Sequence, residues 1–256
     1  MTKTHAAIIG CGPSGMVIAH ACHQMGMPFD IYAPKQKSFI SGAQYLHSDI
    51  EVRADGISPR TVSYIYRGVE WQYEKKVYGK LPEGLVTSWS KFKGDVEAWP
   101  LIEIYEWLWT QYSERIIDGP VNIEWIRTLT ANPERMVFNT APLSNFFNGG
   151  KFWSEEVQIV NGISFAPDDT IVYNGEPSSA WYRSSNLWGH LSVEYPSNVH
   201  VPGEIAQYGL KVVKKPLVTA EAIPGVIASG RYGRWEKGVL VDESYHQAIA
   251  EIKANT

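Results

Sequence analysis

Residues 6–15 read AAIIGCGPSG, and within that string Gly10, Gly12 and Gly15 stand at the spacing G-x-G-x-x-G. This spacing serves one kind of chemistry, the approach of bare backbone to a diphosphate. Gly10 permits a tight turn, Gly12 lets the main chain come close to a pyrophosphate, and Gly15 lets a helix pack tightly on its strand. Cys11, Pro13 and Ser14 complete the loop, and the free N–H groups of the next helical turn face the anion. The context agrees: Ala6 to Ile9 is a short apolar strand, Met16 to Met25 a helix closed by Gly26, and Phe29 to Ala33 a second strand. A dinucleotide loop is normally served by an acidic residue about 20 positions further on, which holds the ribose hydroxyls. That position falls on Ala33, while Asp30 lies mid-strand with Tyr32 on its face of the pleat. Lys35 and Gln36 are left to take the place of the acid.

Other reactive side chains form weaker sets. Cys11 reads as a small residue in a turn. With Cys22 it makes no C-x-x-C pair, so neither a zinc site nor a disulfide framework is expected. His20 and His23, one helical turn apart, lack a third ligand at matching spacing and read as ordinary helix residues, so no metal is expected. Ser14 is not in the G-x-S-x-G elbow of a serine hydrolase. His47 and His190 read either as hydrogen-bonded structural histidines or as proton shuttles.

These residues need elements to hold them. PLIEIYEWLWTQYSERI (residues 100–116) places Leu101, Ile104, Tyr105, Leu108, Tyr112 and Ile116 on one helical face. GPVNIEWI then reads as a strand, and ERMVFNTAP as another that ends in a Thr-x-Pro turn. Hairpin signals follow at Asn161-Gly162, between VQIV and ISF, and at Asn174-Gly175, after TIVY. The stretch IPGVIASGRYGRWEKGVLVDESYHQAIAEI reads as strand, glycine turn, loop and a closing helix near Gly238. An apolar strand running into Gly230-Arg231 and then a helix is how FAD-binding chains return to their cofactor, with a helix N-terminus near the pyrophosphate, ribityl or flavin carbonyl.

Composition narrows the classes. The chain has 256 residues, 44% hydrophobic and 20% charged with a net charge of −4, which describes a globular protein without a duplex-coating basic surface. The lysines at 75, 76, 91 and 93, and at 211, 214 and 215, read as solvated surface charge. Ten Trp and fourteen Tyr are many for this length; they fill cores or wall in planar ligands. Neither a secretory signal nor a membrane-spanning run is seen, so a cytoplasmic location and no membrane partner are expected. With no repeat or composition break, two parts must be interleaved. The expected fold class is α/β: a Rossmann-like three-layer cofactor domain (1–44, 118–145 and 222–256) with a small β-rich α+β substrate domain (45–117 and 146–221).

Several blocks together resemble the FAD-binding superfamily of amine oxidases and UDP-galactopyranose mutases. AAIIGCGPSG resembles its N-terminal fingerprint, RMVFNTAPLSNFF the mutases' strand with Thr-x-Pro and a phenylalanine pair, and SGRYGRWEKG their C-terminal Gly-Arg loop. TIVYNGEPSSAWYRSSNLWGH is similar to their Val-Tyr-Asn and Tyr-Thr-Arg segment, which places Arg183 where a substrate-facing arginine stands. The resemblance implies FAD as cofactor. It implies contacts to FAD from the loop, from Gln44, Ile123 and Thr140, and from Gly230, Arg231, Gly238 and Val239. The chain is much shorter than those enzymes, which implies an open site for a large or polymer-attached substrate. The block GAQYLH (residues 42–47) resembles small phage FAD-dependent lyases that trim an amino-acid adduct on thymine during DNA hypermodification.

The activity expected from this resemblance is oxidation of a C–N bond of an amine. On a glycyl-type adduct of thymidine in DNA it releases glyoxylate and leaves an aminomethyl base. Arg183 holds the adduct's carboxylate, Tyr45, Trp181 and Tyr182 stack the base, and His47 shuttles protons. Two alternatives stand beside it: a mutase-like enzyme acting on a sugar nucleotide, and a non-catalytic nucleotide-binding module. The oligomeric state is left open.

Overall fold

The computed structural model describes residues 2–33, 40, 45–79, 94–119 and 121–256, so Lys35, Gln36 and Gln44 lie outside the described residues. The chain begins with β1 (His5–Ile9), α1 (Pro13–Gln24) and β2 (Phe29–Tyr32), then leaves for β3 (Tyr45–Leu46), β4 (Arg60–Arg67), α2 (Glu70–Tyr78) and β5 (Asp95–Pro100). It comes back through α3 (Leu101–Tyr112), β6 (Ile116–Ile117), α4 (Ile123–Thr130) and β7 (Arg135–Asn139). A second excursion makes β8 (Phe152–Asn161), β9 (Thr170–Asn174), β10 (Arg183–Leu187), β11 (His190–Pro196), α5 (Gly203–Ala206) and β12 (Leu210–Thr219). The last segment holds β13 (Ile227–Ala228), α6 (Gly230–Arg234) and α7 (Val241–Asn255).

Two sheets result among the described residues. The first is parallel, in the order β13-β7-β1-β2-β6. Its strands are apolar on both faces, as a sheet covered on two sides requires. Ala6, Ile8, Ile31 and Phe138 point to a core shared with α1, α3 and α7. Ala7, Ile9 and Val137 point the other way, to Ile126 and Leu129 of α4 and to Trp235. The α/β, three-layer expectation is met. Pro13 opens α1 with its fixed φ, and Gly26 at φ +66° closes it.

The second sheet has eight strands in the order β12-β8-β11-β10-β9-β4-β5-β3, antiparallel except where β4 runs parallel to β9. On one face α2 packs Tyr73 and Val77 against Val157, Ile159 and Tyr182. On the other, Val160, Val193 and Tyr195 are covered by Val201 and Ile205.

Four local expectations are corrected. GPVNIEWI is not a strand: the Asn122 side chain accepts the Trp125 N–H at 2.8 Å, an N-cap that starts α4, and Ile126 and Leu129 are buried at helical spacing. The strand beside β2 is instead Ile116–Ile117, which the helical pattern had absorbed; α3 ends at Tyr112. Asn161-Gly162 does not turn a hairpin, because β8 pairs with β11 and β12 and ISF forms no strand. The tight hairpin is β10–β11, where Trp188 and Gly189 both take positive φ (+53° and +86°), as a two-residue I′ turn demands. Lys215 is buried, not solvated.

Candidate cofactor and substrate site

The glycine loop separates its three glycines by function. A Cβ on Gly15 would lie 1.9 Å from the Gly10 carbonyl oxygen, so only glycine lets α1 seat on the turn. Gly10 has φ +99°, and a Cβ there would meet Thr140 Oγ1 at 2.6 Å. A Cβ on Gly12 would meet nothing within 4 Å: the side of this glycine where a side chain would stand is open, and a phosphate can approach there. The loop is held from beneath. Thr140 Oγ1 donates to Ile9 O at 2.9 Å and reaches Gly10 O at 3.3 Å, and Tyr105 donates its hydroxyl to Cys11 O at 2.8 Å. Thr140 therefore braces the loop, while Cys11 is buried and serves through its carbonyl. At the far end of β2, Ala33 is buried and gives its N–H to Ile117 O, and Asp30 sits by His5 (3.4 Å) and Tyr32 (3.4 Å). Asp30 is thus engaged within the strand layer. Ile123, placed in the first turn of α4, packs against the Ala7–Ile9 side of the sheet and does not continue the β2 edge.

The C-terminal segment returns onto this loop. A Cβ on Gly230 would fall 2.4 Å from Ser14 Oγ, and one on Gly233 would fall 2.0 Å from Asn139 O; the two glycines let α6 lie directly on the loop and the end of β7. Gly238 is exposed at φ +81° and Val239 half-buried, just ahead of α7. Four buried polar atoms here have no partner: Ser229 Oγ, Arg231 Nε, Asp242 Oδ1 and Ser244 Oγ. Buried polar groups are otherwise almost always paired. A Cβ on Gly230 would also come 3.5 Å from Ser244 Oγ, so the unpaired Ser244 hydroxyl stands near Ser14 and the start of α1, which fits a polyhydroxylated, phosphorylated ligand. Asp242 also accepts the Ser48 hydroxyl at 2.7 Å through Oδ2, which ties the end of β3 to the same place.

Arg231 does more than approach the loop. Its Nη2 donates to Pro216 O at 3.1 Å and stands 3.7 Å from Glu155 Oε1, so it joins the return segment to β12 and β8. Trp235 Nε1 donates to Trp153 O at 2.9 Å and strengthens the same seam.

Across the second sheet, one row of directly paired positions reads Tyr66, Tyr173, Arg183, Glu194 on β4, β9, β10 and β11. Tyr66 and Tyr173 stack at 5.4 Å, and Tyr73 of α2 meets Tyr173 edge-on at 5.6 Å. Tyr45 of β3 hydrogen-bonds Tyr64, which stacks on Tyr173 at 6.4 Å. Arg183 pairs with Glu194, whose other oxygen takes Lys215 Nζ at 2.6 Å and the Tyr182 hydroxyl at 2.5 Å. Burial alone would push the Glu194 carboxyl upward, but Arg183 and Lys215 outweigh it and hold it well below the usual range. Burial brings the Lys215 ammonium down to about 8 in spite of its partner.

Of the residues expected to be catalytic, Tyr45, Tyr182 and Arg183 lie in one electrostatic neighbourhood, and His47 touches it through Tyr45. Tyr182 is buried and spends its hydroxyl on Glu194, so it offers no stacking face. Tyr45 is buried in the tyrosine row, with half-buried His47 edge-on at 4.7 Å. Arg183 gives Nη2 to Glu194 and keeps the rest of its five-donor fork. Trp181 lies on the other face, against Phe165 at 5.4 Å, and His190 closes the β10–β11 hairpin. Glu155, Glu194, Lys215, Tyr64 and Tyr173 escaped the sequence reading. Its one signal was a charged residue inside an otherwise β-branched or aromatic run, as in VEY and KKPLV.

A parallel sheet between two helical layers, with a glycine loop, a C-terminal return and a broad second sheet, is a fold that this chain shares with solved flavoproteins and oxygenases. Among solved structures, the chain is similar to a flavoprotein/dehydrogenase from Cytophaga hutchinsonii, with a TM-score of 0.55 and 13% identity over 99% of this chain and 80% of that one. It is similar also to p-nitrophenol 4-monooxygenase from Pseudomonas putida (TM-score 0.55, 14% identity, 100% and 82% covered) and to 2-methyl-3-hydroxypyridine-5-carboxylic acid oxygenase (0.54, 12%, 98% and 87%). At such identities the likeness defines the fold. No protein-family model and no curated protein matches the chain. Among the described residues no helix is long and apolar enough to cross a membrane.

Proposed function

We propose that this chain is an FAD-dependent oxidoreductase that oxidises a C–N bond of a carboxylate-bearing amine. The observation that carries the cofactor is the meeting of Gly12, which opens to space, with a return segment seated on Ser14 and bearing four unpartnered polar atoms. The fold shared with a flavoprotein dehydrogenase and two oxygenases supports it. Gly10–Gly15 and the start of α1 would hold the pyrophosphate, and Ser229, Asp242 and Ser244 the hydroxyl groups. When bound, FAD supplies the hydride acceptor; the protein's part is positioning, exclusion of water and control of the amine's protonation.

Segments in the first sheet then form the cofactor half and the second sheet the substrate half. The free edge of the Arg183 fork takes the substrate carboxylate, and the half-buried rings of Tyr66 and Tyr173 take a planar group such as a nucleobase. An amine adduct on a thymine base in phage DNA is the substrate class that joins these features to the GAQYLH resemblance.

The test starts with the visible spectrum of the purified protein and chromatography of the released chromophore, which should be FAD. Carboxylated amines, modified thymidine included, should then bleach the flavin without oxygen. A second reading, hydroxylation of an aromatic ring, is favoured by the likeness to the two oxygenases. It requires bleaching by a nicotinamide nucleotide and none by the amine. A colourless protein that fails to take up FAD would sink both.

A further inference from the structure

Among the described residues, β12 ends the eight-stranded sheet: it pairs with β8 on one side and with no strand on the other. An edge of ten residues that carries apolar side chains is a template for another strand. Residues 207–212 are all exposed, Tyr208 by 55%, Leu210 by 37% and Val212 by 63%. Leu210 and Val212 share one face of the pleat, next to Val160 and Gln158 of β8.

The backbone of this edge has a covered half and an open half. Tyr232 donates its hydroxyl to Lys214 O at 3.1 Å, Arg231 Nη2 donates to Pro216 O at 3.1 Å, and the Lys237 N–H donates to Leu217 O at 2.8 Å. The return segment therefore covers β12 from Lys214 onward. In an antiparallel ladder, alternate residues turn both backbone groups to the same side. Lys214 O faces away from β8, so the N–H and C=O of Val212 and Leu210 face away as well, along the exposed stretch.

The charge pattern selects the occupant. β12 carries Lys211, Lys214 and Lys215 and no acidic residue. A second β12 laid antiparallel about a two-fold axis pairs only residues of like orientation, so the axis passes through a residue. On Lys211 or Lys214 it sets a lysine against its own copy, and on Val213 it sets Lys211 against Lys215. On Leu210 half of the pairing runs out of the strand. On Val212 it sets Val212 against Val212, Leu210 against Lys214 and Lys211 against Val213, and no lysine opposes another. Directly opposed like charges destabilise a strand pair.

We propose that this edge is an interface between two copies of the chain, joined β12 to β12 with the two-fold axis at Val212. The two Val212 residues exchange amide–carbonyl bonds, and Leu210 with Lys214 extends the ladder on each side. The opposite end of the sheet is β3, two buried residues, Tyr45 and Leu46, which offers no matching edge for head-to-tail growth. The pairing therefore closes at two. This goes beyond the oxidoreductase reading and needs no cofactor.

The experiment is sedimentation velocity of the whole chain across the micromolar range, with and without added FAD. A dimer should form in both. Val212→Lys, an exposed change that sets lysine against lysine at the axis, should weaken it at least about tenfold while near-UV dichroism stays native. Val212→Cys should cross-link to its own copy under mild oxidation, because paired Cα atoms stand about 5.5 Å apart, within disulfide reach. Leu210→Cys, which faces Lys214 of the other copy, should not, and the native Cys11 and Cys22 are buried. A chain that stays monomeric, a dimer untouched by Val212→Lys, or equal cross-linking of the two cysteine variants would overturn the proposal. So would a monomer that instead takes up an acidic strand-forming peptide at this edge. A dimer that binds no FAD would leave this inference standing and remove the oxidoreductase reading.

Discussion

Gly12 and Gly15 stand in one short loop and make opposite demands. Gly15 is fixed by sterics, since the nearest atom to an added Cβ is a backbone oxygen 1.9 Å away. Gly12 has ordinary φ (−72°) and empty space around it, so alanine fits the folded chain but occupies the phosphate's approach. Gly12→Ala should leave thermal stability within about 1 kcal/mol, as expected for an N-cap glycine. FAD affinity measured by fluorescence quenching should fall at least about tenfold, a loss of roughly 1.4 kcal/mol. Gly15→Ala should lower stability itself by about 2–4 kcal/mol, because backbone must move. Equal stability losses in the two variants would refute this division of labour.

Glu194 is the other residue with a sharp expectation. Glu194→Gln strands Arg183 and Lys215 in the interior and should cost about 3–5 kcal/mol in urea unfolding. Its pH dependence follows from the sign of the shift. The native carboxyl sits below its unfolded value, so its stabilisation is complete above the ordinary carboxylate range and is lost as pH falls through and below it. Lys215 and Lys237 act at the other end. Their native values, each about 8, lie below that of the unfolded chain, so the native state sheds protons first and stability rises with pH above 8 until the unfolded lysines titrate. Urea midpoints between pH 3 and 10 should show the acid limb flattened in Glu194→Gln and the alkaline rise flattened in Lys237→Met. Glu155, pushed up by burial, works against the acid limb, which makes Glu194→Gln the cleaner variant.

At the level of elements, legibility depended on whether the determining contact was local. The turn after β1, α1 and its stop at Gly26, and the glycine return were readable because each is set by steric demands within a few residues. GPVNIEWI misled for a physical reason: an apolar run of that length suits a buried strand or a short helix, and the single Asn122 cap decides between them. Asn122→Ala should therefore cost about 1 kcal/mol in thermal unfolding; no measurable change would mean that burial of Ile126 and Leu129 alone sets the helix. The Asn161-Gly162 pair carried a hairpin signal, but β8 lies between β11 and β12, and long-range pairing overrode the local one. The Arg183–Glu194–Lys215 cluster was invisible because its members come from three strands: register pairs Arg183 with Glu194, while Lys215, four residues out of that row, reaches Glu194 only through its long side chain.

At the level of the molecule, α6 joins the two sheets, touching the loop through Gly230, β7 through Gly233, and β8 and β12 through Arg231. A ligand that binds only when this seam is closed stabilises the whole chain. Saturating FAD, at about 100 times its dissociation constant, should add about 2.7 kcal/mol. Gly233→Ala, whose added methyl group meets Asn139 O, should abolish the FAD-induced shift in thermal unfolding. A variant that still shifts fully would show that the seam is dispensable.

The order in which the chain visits the two sheets also bears on how it is made. Strand β1 lies between β2 and β7, and β7 acquires its outer neighbour only from Ile227–Ala228, after the eight-stranded sheet has been threaded through. During synthesis Gly10–Gly15 emerges ahead of both excursions into the second sheet, and the segment that seats on Ser14 follows them. The glycine loop is thus covered only after the whole second sheet is available, and the interval is spent with apolar strand edges waiting for distant partners. Topologies of this kind fold slowly and are prone to aggregate while they wait. The vitamin-derived cofactor would then enter as a late folding ligand, and recombinant yield should track riboflavin supply during expression, with insoluble protein accumulating when supply is short.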